Sequence, residues 1–92
     1  MIRSFKCSET AALFDDRPIR RFQAIERPAR RKLLFLNQAR KLDDLRAPPG
    51  NQLEALKGNR AATYSIRVND QYRICFAWHN GDAHNVEIVD YH

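Results

Sequence analysis

Apolar and polar positions alternate most regularly between Tyr64 and Val89. Tyr64, Ile66 and Val68 interleave with Ser65 and Arg67. Tyr72, Ile74, Phe76 and Trp78 interleave with Arg73, Cys75 and Ala77, and Val86 and Ile88 with Glu87 and Val89. Period-two alternation rich in aromatic and β-branched residues predicts three short antiparallel strands, each with one buried face. Directly paired residues of an antiparallel ladder share a face. Keeping the apolar sets together pairs Val68 with Tyr72, Ile66 with Ile74 and Tyr64 with Phe76, across the loop Asn69-Asp70-Gln71. A two-residue Asn-Asp turn would instead set Ile66 beside Arg73. The same reasoning around Asn80-Gly81-Asp82 pairs Arg73 with Val89, although Asn-Gly most often closes a two-residue hairpin. Here the side-chain pattern is taken to overrule the turn.

Upstream the signals are mostly helical. Ile2 to Cys7 alternates weakly and is read as a first strand. Ser8-Glu9-Thr10 opens a short helix with Ser8 as N-cap. Ala11, Ala12, Leu13 and Phe14 form its apolar side, and Asp15-Asp16-Arg17-Pro18 ends it. Ile19 to Gln23 fits either one helical turn or a pinned loop. Pro28 suits a first helical position, and Ala29, Leu33, Leu36 and Ala39 recur at helical spacing. One main helix is expected from Arg20 or Pro28 to about Leu42, with a kink near Asn37 and a short turn to Arg46. Ala47-Pro48-Pro49-Gly50-Asn51 can be neither helix nor central strand and forms a rigid connector. Leu53 and Leu56 anchor a short segment that leaves Glu54 and Lys57 exposed. Gly58-Asn59-Arg60 then turns the chain into the sheet.

The strand pattern has a chemical consequence. It sets Arg67 directly across from Arg73, on the face turned away from the aromatic residues. Like charges opposite each other are destabilising, so the two arginines are either solvated or hold an anion. Tyr91 lies diagonally beside Arg73 in this register, and His92 follows it. An arginine pair, a phenol and an imidazole thus converge on one edge of one sheet face. Cys75 falls on the same face, with nothing to mark it as a nucleophile. Trp78 reads as core or core edge. His79 and His84 flank a turn, lack metal-ligand spacing and read as surface.

A chain of 92 residues allows one domain, residues 1–92, with one small core. It has no apolar run long enough to span a bilayer, and Arg3 and Lys6 interrupt the place where a signal peptide needs one. Cys7 and Cys75 suit a reducing compartment. A cytoplasmic location is expected. The net charge is +5 and favours an acidic partner, nucleic acid or protein. The charge is concentrated: Arg17 to Arg46 holds ten of the 16 basic residues and three acids. This basic face is either a solvated surface over the core or a strip that lies along RNA backbone. Arginine dominates it, and its planar fork suits bidentate phosphate contacts.

Several runs carry a resemblance. They are Pro48-Pro49-Gly50-Asn51, Leu53-Glu54, Leu56-Lys57-Gly58-Asn59-Arg60, the stretch from Ser65 to Phe76, and Val86-Glu87-Ile88-Val89-Asp90-Tyr91-His92. Together they closely resemble the HigB toxins of the RelE/ParE-like superfamily. The second half of the chain matches in detail; Arg17 to Leu45 matches only in pattern. The resemblance implies an α+β fold, with two to three N-terminal helices packed on one face of a small, mostly antiparallel sheet. It implies a type II toxin that cleaves mRNA in the 30S A site of the translating ribosome, is monomeric when free, and pairs with a HigA-like helix-turn-helix antitoxin. It implies no cofactor or metal. The family's sheet arginine corresponds to Arg73 and its lysine after the connector to Lys57. Its terminal carboxylate, phenol and imidazole correspond to Asp90, Tyr91 and His92. Some members carry histidine where this chain has Glu54, whose ordinary pKa of ~4.3 makes it the weaker base.

These residue types suit metal-free RNA cleavage. The 2′-hydroxyl attacks the adjacent phosphate and expels the next nucleotide's 5′-oxygen, which calls for a base, an acid and positive charge on the phosphate. His92 can take either proton role. Arg73, helped by Lys57, can neutralise growing charge, and Tyr91 can stack on a base. Asp90 falls on the Tyr72 side and is expected to orient Tyr91 or His92. Glu54 remains a candidate base. Arg30, Arg31, Arg60 and Arg67 are the candidate contacts to RNA backbone. Two other classes stay open: a fold relative that acts on DNA gyrase, since fold does not fix function, and a basic module that binds RNA without turnover.

Overall fold

The computed structural model describes residues 1–56 and 62–90. Lys57, the Gly58-Asn59-Arg60 turn, Tyr91 and His92 lie outside the described residues. The elements in chain order are α1 (Ser8–Phe14), a 3₁₀ helix at Arg20–Ile25, α2 (Glu26–Gln38) and short 3₁₀ helices at Leu42–Arg46 and Pro49–Asn51. The strands β1 (Glu54–Ala55), β2 (Thr63–Arg67), β3 (Tyr72–His79) and β4 (Asp82–Asp90) follow. The strands pair antiparallel in the order β1-β2-β3-β4, and the helices cover one face, an α+β arrangement.

Apolar periodicity explains the core. Ala29, Leu33 and Leu36 of α2 are buried, with Leu13 of α1 and Phe22 and Ile25 of the first 3₁₀ helix. They meet Ile66, Ile74 and Ile88, which form one cross-strand row. Each of the leucine, isoleucine and phenylalanine side chains contributes roughly 1.5–3 kcal/mol on burial.

The β2–β3 register is the expected one: Tyr64 pairs with Phe76, Ile66 with Ile74 and Arg67 with Arg73. The β3–β4 register is expected only in part. Arg73 pairs with Val89 and Cys75 with Glu87, but the ladder then shifts, so that Ala77 pairs with His84 and His79 with Asp82. Phe76 faces two residues, Asn85 and Val86. This bulge lets Asn80-Gly81 close a two-residue turn, both with positive φ (51° and 79°), as a type I′ turn requires. The expected three-residue turn is therefore corrected. Side-chain pattern and turn chemistry are both satisfied by one extra residue, with Asn85 at φ 53°.

Four other expectations are corrected. Ile2 to Cys7 makes no regular strand; Ile2 and Phe5 form isolated parallel bridges to Ala83 and Val86 of β4. Cys7, not Ser8, is the N-cap of α1. Pro28 is the third residue of α2, because the 3₁₀ helix runs straight into it; there its missing N–H is still one that lacks an intrahelical partner. The main helix stops at Gln38, short of Leu42, and Ala39 is extended. Asp44 accepts from the Arg40 and Lys41 backbone amides (3.0 and 3.2 Å) and starts the separate turn Leu42–Arg46. No helix among the described residues is long and apolar enough to cross a membrane.

Candidate active site

Alternation places Glu54, Ser65, Cys75 and Glu87 in one row, and Arg67, Arg73 and Val89 in the next, on the sheet face opposite the helices. Arg73 is not a solvated arginine. It is 7% exposed and its guanidinium lies diagonally across β2. Nε donates to Ser65 Oγ (2.8 Å), and Nη2 donates to the Gln52 carbonyl (2.5 Å) and meets Glu54 Oε1 at 3.1 Å. Ser65 is itself buried. Gln52 turns its carbonyl toward Arg73 from a left-handed backbone (φ 45°) directly after Asn51. Sequence alternation located Arg73, and the resemblance singled out Glu54. Alternation missed Ser65 and the Gln52 carbonyl, which fix the direction of the guanidinium; the diagonal neighbour rule offered a signal only for Ser65.

Glu54 presents its carboxylate to solvent (62% exposed) beside this buried cation. An exposed carboxylate and a buried guanidinium thus sit side by side on this face. Beyond Cys75 the same face opens into a cleft of about 260 Å³ lined in part by Thr63, Asn85 and Glu87, with Lys6 paired to Glu87 at 3.4 Å. Asp90 pairs with Tyr72, as expected, and accepts from Gln71 Nε2 at 3.0 Å.

The four candidate backbone contacts differ in placement. Arg67 is half-buried and ion-paired with the exposed Asp70 in the β2–β3 turn. Arg31 is exposed on α2. Arg30 is committed within the fold: its guanidinium donates to the carbonyls of Leu13 (3.0 Å) and Arg17 (2.8 Å) and to Glu26 (2.6 Å), tying the end of α1 to α2. Arg60 lies outside the described residues, as do Lys57, Tyr91 and His92. Trp78 packs at the core edge. His79 is exposed, and His84, half-buried, has its ring 6.2 Å from that of His79. Cys75 is buried on the arginine face.

An antiparallel sheet with helices packed on one face is the α+β arrangement of the RelE-like fold. The chain belongs to the HigB-like toxins: the family described as RelE-like toxin of type II toxin-antitoxin system HigB matches residues 4–92. It is similar to Toxin HigB-1 of Vibrio cholerae serotype O1, 50% identical over 62 residues, 67% of this chain and 65% of that protein. It is also similar to an uncharacterized protein of Haemophilus influenzae, 41% identical over 56 residues, 61% of this chain and 55% of that protein. The matched stretch is thus less than two thirds of either relative.

Proposed function

We propose that this toxin is an endoribonuclease that cuts mRNA in the ribosomal A site without a cofactor and is held inactive by an antitoxin of the helix-turn-helix class. The observation that carries this reading is the pairing of an anchored, buried Arg73 with the exposed Glu54 carboxylate 3.1 Å away. In the proposed step Glu54 removes the 2′-hydroxyl proton and the freed oxygen forms a bond to phosphorus. The bond from phosphorus to O5′ breaks, and O5′ takes a proton from His92, an imidazole whose ordinary pKa of ~6.5 suits the role. The products are a 2′,3′-cyclic phosphate and a 5′-hydroxyl. Arg73 and Lys57 neutralise charge on the phosphate, Tyr91 stacks on a base, and Asp90 steadies the terminal residues.

Primer extension on transcripts from a translation extract, with direct kinase labelling of new 5′ ends, tests the proposal. The expected result is new 5′-hydroxyl ends that appear only when the transcript is translated. Intact transcripts beside inhibited gyrase supercoiling would assign the chain to the gyrase-directed toxins instead. Intact transcripts with salt-sensitive RNA binding would make it a non-catalytic module.

A further inference from the structure

We propose that Lys32, Arg31 and Arg67 form a second phosphate subsite, which grips the backbone of the same mRNA strand beside the Arg73 site. The inference rests on the nuclease reading and adds a backbone-binding role for Lys32. Three observations carry it. First, Arg67 is the direct cross-strand partner of Arg73, so the two side chains spring from adjacent points of one face, about 4.5–5.5 Å apart at Cα. Second, the Lys32 ammonium is positioned by a neutral group. It donates to Asn51 Oδ1, and among the described residues it has no carboxylate at ion-pair distance. Asn51 is fully buried and held by its own donations to the Leu45 and Ala47 carbonyls, both 3.2 Å. The next residue, Gln52, supplies the carbonyl that anchors Arg73. Adjacent residues of one short turn therefore hold two cations, one from α2 and one from β3. Third, the cluster is short of counter-charge. Arg30, one residue away on α2, is neutralised by Glu26, whereas Arg31 is exposed and the carboxylate on Arg67 comes from Asp70, 99% exposed and displaceable.

The electrostatics agree. Partial burial and the nearby Arg31 and Arg67 guanidiniums hold the Lys32 pKa below its ordinary value, so an anion at this point would relieve a penalty that the fold imposes.

The test is binding against salt, with a 2′-O-methyl RNA oligonucleotide that lacks the attacking hydroxyl, used both free and as the message on a programmed ribosome. Single-stranded RNA loses about 0.7 in the slope of log affinity against log salt per phosphate contact. Lys32→Gln should lower the slope by that amount in both settings, and Lys32→Gln with Arg67→Gln by roughly twice as much. Lys32→Arg should restore it. Arg3→Gln, which removes one charge at the far end of the sheet, should leave it unchanged. Should Lys32→Gln fail to fold, Arg31→Gln carries the same expectation, because Arg31 is exposed. In cleavage assays KM should rise while kcat holds. A change seen only on the ribosome means the cations meet ribosomal RNA and overturns the subsite, as does an unchanged slope in both settings. Loss of free-oligonucleotide binding by the wild type also overturns it, and normal cleavage in the same preparation would leave the nuclease reading standing.

Discussion

Arg73 joins two kinds of work in one side chain. Its hydrogen bonds to Ser65 and Gln52 stitch the segment before β1 to β2 and β3, and the same bonds set the direction of its charge. Arg73→Ala should therefore lower stability by about 1–3 kcal/mol, read by chemical denaturation, because Ser65 and the Gln52 carbonyl lose their buried partner. It should also remove about 10²–10³ of the cleavage rate, the usual effect of losing one preorganised charge donor. Glu54→Gln separates the two roles. Glu54 is itself 62% exposed and Arg73 keeps Ser65 and the Gln52 carbonyl as partners, so denaturation should shift by less than about 1 kcal/mol, while cleavage falls about 10²–10⁴-fold if Glu54 is the base. Equal loss of stability and rate would make Glu54 a structural partner instead. The face that Arg73 occupies was legible from alternation alone. Its burial was not, because the Gln52 carbonyl reaches it only through a left-handed residue that no side-chain pattern announces.

The β3–β4 hairpin shows how two local rules can conflict and both hold. Period-two patterning called for an odd loop, and Asn-Gly called for a two-residue one. The chain inserts Asn85 and keeps both, with Ser4 Oγ accepting from the Asn85 amide at 2.9 Å. A sequence does not advertise which strand residue will be surplus, so the bulge was the part of the sheet that could not be read. Gly81→Ala tests the turn: a side chain at φ 79° would meet the Arg40 carbonyl at 3.3 Å, and the left-handed backbone costs an L-residue about 1–2 kcal/mol. The melting temperature should fall without change in cleavage at low temperature. The N-terminal segment departs from the expected strand for a related reason. Its parallel bridges cover the outer edge of β4 beside Thr10, whose buried hydroxyl accepts from the Ile88 amide at 3.1 Å. Covering a sheet edge needs backbone contact at a few points, not alternation. Thr10→Val should destabilise by about 1–3 kcal/mol by orphaning that amide.

The molecule divides its labour between two faces of one thin sheet. The helical face supplies the core, and the opposite face gathers Glu54, Arg67 and Arg73 beside the connector. At the far end the amino terminus is held by charge: Asp82 lies 3.3 Å from the Met1 ammonium and 3.1 Å from Arg3. The Arg3 hydrogen bond, with help from the amino group, holds the Asp82 pKa below its ordinary 3.8. A depressed carboxylate stabilises the fold above its unfolded pKa and loses that contribution as pH falls through the folded value. Amides bonded to the first residues, such as Ala83, should therefore lose protection below about pH 4 in hydrogen exchange, and keep it at neutral pH.

In the proposed mechanism RNA is cut on the sheet face where Arg73 is anchored. The most direct measurement counts 5′-hydroxyl ends on a translated message with wild-type protein and with Arg73→Ala and Arg73→Lys, each shown to be folded by circular dichroism at the assay temperature. The proposed mechanism requires abundant ends with the wild type, almost none with Arg73→Ala, and at most a small fraction with Arg73→Lys, which cannot reproduce the planar fork. A folded Arg73→Ala protein that cuts at the wild-type rate would contradict it.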